Sequence, residues 1–238
     1  MKRPAKADPG PAIRAVPLLA PHNVTLQLLT PKQRQQLLSI ATRVHYPKGH
    51  VIYRRGMPGA WLFFCQDGIV KTYRDLASGR RRVAAFLFAR DMFGLAEAGR
   101  YVNTAQAVTP VSCYRVEKAV LAAVLQQDAA LQYQFLCKVT HELRHAQRRA
   151  MILARRDAAG RLAMFLLMMR QQQPESAASK VIRLPMSRSD IAGFLGQSLE
   201  AVSRASAELT RRGLVQFRGR QTARVVNMPE LERFAANL

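Results

Sequence analysis

The stretch Met186-Ser-Arg-Ser-Asp-Ile-Ala-Gly-Phe-Leu-Gly-Gln-Ser-Leu-Glu-Ala-Val-Ser-Arg-Ala-Ser-Ala-Glu-Leu-Thr-Arg-Arg-Gly213 divides into two short amphipathic helices. Ser187 or Ser189 can cap the first, whose apolar face is Ile191, Ala192 and Leu195. Gly196 supplies the break, because glycine adopts the left-handed conformation that a helix C-terminus requires. Ser198 can cap the second helix, in which Ala201, Val202, Ala205 and Leu209 recur with helical spacing. Gly213 ends it. This is the helix-turn-helix layout, whose second helix lies in the DNA major groove and touches base edges with its N-terminal residues. The outer face at that end carries Leu199, Glu200, Ser203 and Arg204. Arginine bonds guanine bidentately, glutamate accepts from cytosine, and serine or an apolar side chain suits thymine.

Helix pairs joined at a glycine also occur in domains that bind no nucleic acid. The residues after Gly213 separate the two cases. Leu214–Phe217 reads as a strand, Arg218-Gly219-Arg220 as a basic turn, and Ala223–Val226 as a returning strand. That hairpin is a wing with arginines placed to meet phosphates. Ser187, Arg188, Ser189, Gln197 and Ser198 beside the helices, with Arg218 and Arg220 on the wing, form the expected phosphate-holding set. The whole chain carries 37 Lys+Arg against 15 Asp+Glu, a formal net charge of +22, which favours a polyanionic partner such as double-stranded DNA. An acidic Glu200 in the groove-facing set costs affinity for DNA unless it reads a base, so sequence-specific binding is expected.

Leu184–Val226 resembles the winged-helix domain of the bacterial CRP/FNR superfamily. Glu200-Ala-Val-Ser-Arg204 is similar to the E-x-x-S-R reading element of the FNR and FixK branch, and Leu199 stands where the CRP branch carries an arginine. The resemblance runs from about Leu28 to about Leu231. It implies a homodimer that reads a palindrome with TTGA-like half-sites and recruits RNA polymerase, in low-oxygen or nitrogen-oxide-linked metabolism. An effector-gated member of the family, responding to haem, redox state, a small molecule or a cyclic nucleotide, is the alternative.

The fold class expected is α+β, divided by composition into an arm over residues 1–24, a β-rich unit over 25–125, a long helix over 126–154 and the winged unit over 155–238. The arm holds five of the 12 prolines. It has no apolar run behind its first charges, so no signal peptide is expected. The apolar run Leu162–Met169 is too short to cross a bilayer. Cys65, Cys113 and Cys137 show no C-x-x-C spacing, which suits a reducing cytoplasm better than a disulfide scaffold. Residues 30–45 read as a short helix with Thr30 as its cap and Pro31 in the first turn. From Tyr46 to Val116 short β-rich runs alternate with glycines: Val51–Tyr53, Trp61–Cys65, Ile69–Arg74, Val83–Phe88, Thr104–Ala107 and Val111–Val116. Such runs suggest a sandwich, barrel or jelly roll. The resemblance makes it a double-stranded β-roll, like a cyclic-nucleotide-binding domain. Ser78-Gly79 marks a hairpin tip, and Arg80 and Arg81 beside it belong to the densest basic run of this half. Such a run is ordinarily a solvated basic hairpin; the resemblance implies instead that, with Ser78 and Gly79, these arginines form a contact surface for RNA polymerase, as the matching hairpin does in FNR-type activators.

Leu131, Phe135, Val139, Leu143, Ala146, Ala150 and Leu153 recur at intervals of three and four. A two-stranded coiled coil buries such a seam, giving a dimer; the same stripe also fits a helix packed on its own sensor domain. A second helix begins at Asp157 or Ala158 and closes at Gln171-Gln-Gln-Pro174.

Three sensor ligands can be set against the residues. Cyclic-nucleotide-binding relatives carry a G-E pair and an R-S or R-T pair; here Gly94 is followed by Leu95, and Tyr101-Val-Asn-Thr-Ala105 stands at the second element, with Arg100 out of place. A buried phosphate would lack its charge-assisted partner. An iron–sulfur cluster normally takes four thiolates, and the chain has three, none before Cys65. His22, His45, His50, His141 and His145 form no haem signature. No cofactor and no metal are expected, and Cys113 reads as a small buried apolar group. His141-Glu-Leu-Arg-His145 has the H-E-x-x-H spacing, but its histidines read as solvated residues on the long helix; G-x-S-x-G and Gly-Lys-Ser/Thr phosphate loops are absent from the sequence, so an enzyme is not expected.

Overall fold

The structure is a computed structural model that describes residues 30–155, 157–173, 179–219 and 221–236; inside the helices the side chains at 34, 141, 145 and 148 are not described. The arm over 1–24 with His22, most of the loop after Gln171, Arg220 and the His141/His145 side chains therefore lie outside the described residues.

Helix α1 (Pro31–Ser39) opens on a reciprocal cap, in which Thr30 Oγ1 accepts from the Gln33 amide and Gln33 Oε1 accepts from the Thr30 amide. It stops six residues earlier than the sequence suggests. Strand β1 (Ala41–Tyr46) follows, turning Val44 and Tyr46 into the roll while Arg43 and His45 face out. A period of two, short and interrupted by charge, hides inside the apparent helical run.

The roll continues with β2 (Val51–Tyr53), β3 (Trp61–Asp67), β4 (Val70–Asp75), β5 (Arg81–Leu87), β6 (Met92–Phe93), β7 (Ala96–Glu97), β8 (Arg100–Tyr101), β9 (Thr104–Ala107) and β10 (Val111–Glu117). Two four-stranded sheets, ordered β1-β10-β3-β6 and β2-β9-β4-β5, face each other, and β7-β8 form a small hairpin. Neighbouring strands of the roll run antiparallel. Between the sheets Tyr53, Phe63, Phe93 and Tyr101 stack as an aromatic column: Tyr53 on Tyr101 at 3.9 Å and Phe63 on Phe93 at 4.9 Å between ring centroids.

Helix α2 (Lys118–Gln127) leads into α3 (Ala129–Ala154), capped by Asp128. Helix α4 (Ala158–Gln171), capped by Asp157, starts the winged unit. Then come β11 (Val181–Arg183), α5 (Arg188–Leu195), α6 (Leu199–Arg211), β12 (Val215–Arg218), β13 (Thr222–Val225) and α7 (Met228–Ala236). The three strands form one sheet, β11-β13-β12. Phe165, Leu166, Met169, Ile182, Leu195, Leu209 and Leu231 are fully buried among these elements. The same apolar cluster takes in Tyr73, Val83, Phe86 and Phe88 of the roll.

The long helix has two apolar faces. Leu131 is only 1% exposed within the single chain, and Phe135 and Val139 pack with Leu62, Met92, Val116 and Leu121 of the roll and its following helix. Those three positions of the expected dimer seam are thus occupied inside the chain. Leu143 is 57% exposed, Leu136, which the heptad reading skips, is 61% exposed, and Ala146 and Ala150 are exposed beside them. Leu153 is half-buried near Gly196. The stripe splits because a 26-residue helix lies against the roll with one side and leaves the opposite side open.

Candidate nucleic-acid interface

Ser187 caps α5: its Oγ accepts from the Asp190 amide at 3.0 Å and donates to Asp190 Oδ2 at 2.8 Å. Ser189, the alternative cap, lies exposed inside the first turn. Gly196 ends the helix with φ 65° and ψ 34°, the left-handed cap its residue type allows without strain. Ser198 then caps α6, its Oγ accepting from the Ala201 amide at 3.1 Å. Val202, Ala205 and Leu209 are buried along one side of α6. That orientation leaves Leu199, Glu200, Ser203 and Arg204 exposed on one patch of its first two turns, with Leu199 at 49%. The Ser198 hydroxyl and the Glu200 backbone amide hold the Glu200 carboxyl below the usual range, with Arg204 one turn on adding to the effect. A helix N-terminus favours that negative charge for the same reason. The site therefore presents one ionised acceptor, one guanidinium fork, one hydroxyl and one apolar side chain, the set that discriminates bases in a major groove.

The expected phosphate-holding residues divide. Arg218 is exposed at the start of the wing turn, where Gly219 has φ 63°. Ser189 and Ser198 are exposed beside the helix ends. Arg188 is half-buried, donating from Nη1 to Ser206 Oγ at 3.1 Å and lying over the Phe217 ring at 5.3 Å. It ties the first helix to the second and to the wing. Gln197 turns its amide away from the open face, toward the Ala158 carbonyl at 3.5 Å, and its Oε1 is buried without a partner among the described residues. Its side chain braces the turn. Two exposed cations not singled out from the sequence, Arg183 and Arg224, share the outer face of the three-stranded sheet with Arg218. Strand alternation is the signal that locates them.

In the roll, the β4–β5 hairpin turns at Ser78-Gly79, with Gly79 at φ 73°. Ser78, Gly79 and Arg80 are exposed. Arg81 is engaged: its Nε donates to Asp75 Oδ1 at 2.8 Å and its guanidinium stacks on Tyr73 at 3.8 Å. Cys65 and Cys113, distant in sequence, stand opposite each other on β3 and β10. Both are buried, and burial pushes each thiol up to about 12. Among the described residues no group of three His, Cys, Asp or Glu side chains could hold a metal, and no helix is long and apolar enough to cross a membrane.

Residues 160–234 match the model of the Crp-like helix-turn-helix domain, and residues 43–128 match that of the cyclic nucleotide-binding domain. The chain is similar to the nitrogen fixation regulation protein FixK of Azorhizobium caulinodans, with 30% identity over 77% of this chain and 75% of that one. The FixK protein of Rhizobium meliloti is 29% identical over 91% of this chain and 96% of its own length. Among solved structures, FixK2 from Bradyrhizobium japonicum superposes with a TM-score of 0.75 at 32% identity, covering 84% of this chain and 99% of that one. With both of its units matched by these domain models and by FixK relatives covered to three quarters of their length or more, the chain belongs to the CRP/FNR family of DNA-binding transcription regulators and is of the FixK type.

Proposed function

We propose that this protein is a cytoplasmic homodimer that reads a palindrome with TTGA-like half-sites and recruits RNA polymerase to the promoters it marks. The observation that carries the reading is the exposed quartet Leu199, Glu200, Ser203 and Arg204 on a helix whose N-terminus is capped and open to solvent. Arg204 bonds the guanine, Glu200 the cytosine opposite, and Ser203 and Leu199 meet the thymines. Arg218 and the serines Ser189 and Ser198 hold the backbone, with Ser187 and Arg188 fixing the helix that presents them. Arg220, two residues on in sequence, belongs to this phosphate set. The open face of α3, with Leu136, Leu143, Ala146 and Ala150, meets its counterpart in a second copy and brings two reading helices onto one duplex. The exposed hairpin tip at Ser78, Gly79 and Arg80 offers the polymerase a basic surface. The FixK relatives' names tie them to nitrogen fixation, in keeping with a role in low-oxygen or nitrogen-oxide-linked metabolism.

The roll works in this proposal without a cofactor. Its interior is filled by the aromatic column, and Tyr101 closes it by donating to the Trp61 carbonyl and accepting from the Trp61 amide. Gly94 is explained by packing, since a Cβ there would come within 2.7 Å of the Trp61 carbonyl oxygen. At the second element Asn103 Oδ1 accepts from Arg74 and Thr104 Oγ1 from the Arg55 amide, so both oxygens already serve contacts within the roll. Protein purified without added ligand should bind a TTGA palindrome in a fluorescence-anisotropy titration and show no absorption beyond its aromatic band. Equal affinity for a duplex with the guanine replaced would defeat the base-reading proposal; binding only after addition of a cyclic nucleotide, or a coloured sample, would defeat the cofactor-free one.

A further inference from the structure

The winged unit does not hang from α3 and α4 alone; its helix α5 is seated on the β4–β5 hairpin of the roll. Lys71 Nζ meets Asp190 Oδ1 at 2.6 Å, across 119 residues of sequence, and the two side chains are only 10% and 11% exposed. Asp190 is the residue through which Ser187 caps α5, so the roll grips the reading unit at the start of its helix pair. Three further contacts surround the pair. A Cβ on Gly193 would come within 2.5 Å of the Arg81 carbonyl oxygen, so α5 lies directly against the backbone of β5. Phe86 of β5 packs with Phe165 and Phe194 at 6.1 and 5.3 Å between centroids. Arg149 of α3 donates to the Val83 carbonyl at 2.7 Å and lies over Phe194 at 5.0 Å.

We infer that Lys71 and Asp190 are positioning residues for DNA reading: their buried ion pair fixes each reading helix relative to its own roll, and through the α3 dimer relative to the other reading helix. An apolar contact alone lets two surfaces slide, whereas a desolvated ion pair has one best geometry and is costly to leave half-made. The inference rests on the proposal that the dimer reads a palindrome. Its consequence is selectivity for half-site separation, because one added base pair moves a half-site by ~3.4 Å and rotates it about the helix axis.

The test is a titration of the full-length protein against TTGA palindromes whose half-sites differ in separation by one and two base pairs, and against a single half-site. Wild type should favour its best separation over the neighbouring ones by about tenfold or more. Lys71→Met should reduce that ratio to about threefold or less while leaving single-half-site affinity within about twofold of wild type, and Lys71→Arg should restore the ratio. If Lys71→Met does not fold, as judged by thermal unfolding, Asp190→Asn tests the same pair, its amide keeping the cap contacts with Ser187. A folded variant that keeps the wild-type ratio overturns the inference, as does one that loses single-half-site affinity in proportion. Wild type that shows no preference for the palindrome over a scrambled duplex overturns the reading of the site and this inference with it. The two failures are therefore told apart by the wild-type data.

Discussion

Asp91 sits at the turn between β5 and β6, 8% exposed, with its carboxyl accepting from the Phe88 amide at 2.8 Å. Across from it on α3 is Glu142, which accepts from the Met92 amide at 3.3 Å and pairs with Lys138 at 2.6 Å. Burial first, and then the negative charge of Glu142, raise the Asp91 carboxyl from 3.8 to about 7, against the pull of the Phe88 amide and of Lys138. A carboxyl whose folded value lies above its unfolded value stabilises the fold at acid pH, and that contribution is lost as pH rises through the folded value. At pH 5 the folded chain keeps this proton while the unfolded chain has released it; by pH 8 both have released it. The difference between the two pH values is about two pK units, or ~2.6 kcal/mol at ~1.36 kcal/mol per unit. Asp91→Asn keeps an acceptor for the Phe88 amide and removes the titration. Urea unfolding at fixed protein concentration, at pH 5, 6, 7 and 8, should show the stability difference between variant and wild type shifting toward the variant by ~2–3 kcal/mol over that range, mostly between pH 5 and 7. Parallel pH profiles for the two proteins would refute the reasoning. A Glu142→Gln background should move the wild-type transition toward acid, since one of its causes is then gone.

Arg204→Ala should cost ~1–3 kcal/mol per half-site and relax preference at the guanine, read by titration against operators changed at that base. Arg218→Ala should weaken binding to all duplexes alike and reduce the salt slope by ~1 for each phosphate left without its cation, measured between ~50 and ~200 mM salt; weakening confined to one base pair would instead make Arg218 a reader of sequence. Leu143→Glu should sediment as a monomer with its winged unit folded and its palindrome affinity reduced, because the charge lands on the open face of α3. Leu131→Ala should lower unfolding stability by ~2–5 kcal/mol, because that side chain is buried within one chain. Exchanged phenotypes for these last two would put the dimer contact on the other face of the helix.

The winged unit is legible in the sequence because its signals are local. Ser198 caps the helix it precedes, Gly196 and Gly213 take positive φ at the two helix ends, and Asp157 starts α4. The outward patch of Leu199, Glu200, Ser203 and Arg204 follows from those ends, since fixing the buried row Val202, Ala205 and Leu209 fixes which residues face out. The α3 seam is only half legible. Periodicity reports that a stripe is apolar, and both the roll and a partner helix accept an apolar stripe. Leu131, Phe135 and Val139 go to the roll, and the open face around Leu136 and Leu143 is interrupted by Thr140 and Gln147, which breaks the heptad in the sequence. Gln197 misleads for a related reason: a polar residue at a turn is expected in solvent, but α4 passes behind this one.

Lys71 shows why the seat of the winged unit is hidden in the sequence. In Val70-Lys-Thr-Tyr-Arg-Asp75 a strand with one solvated face should alternate, with Lys71 and Tyr73 on one side and Val70 and Thr72 on the other. All four are buried. The alternation fails because α5 covers the side that the lysine shares with Tyr73, and a lysine can lie there only with a carboxylate at hand. Asp190 supplies it, and Asp190 in turn looks in sequence like nothing more than an acidic residue in the first turn of a serine-capped helix. Each partner has a sufficient local explanation, so neither points to the other. Only the fold, by laying α5 on the β4–β5 hairpin, turns two residues that read as ordinary surface groups into one buried pair joining the roll to the winged unit.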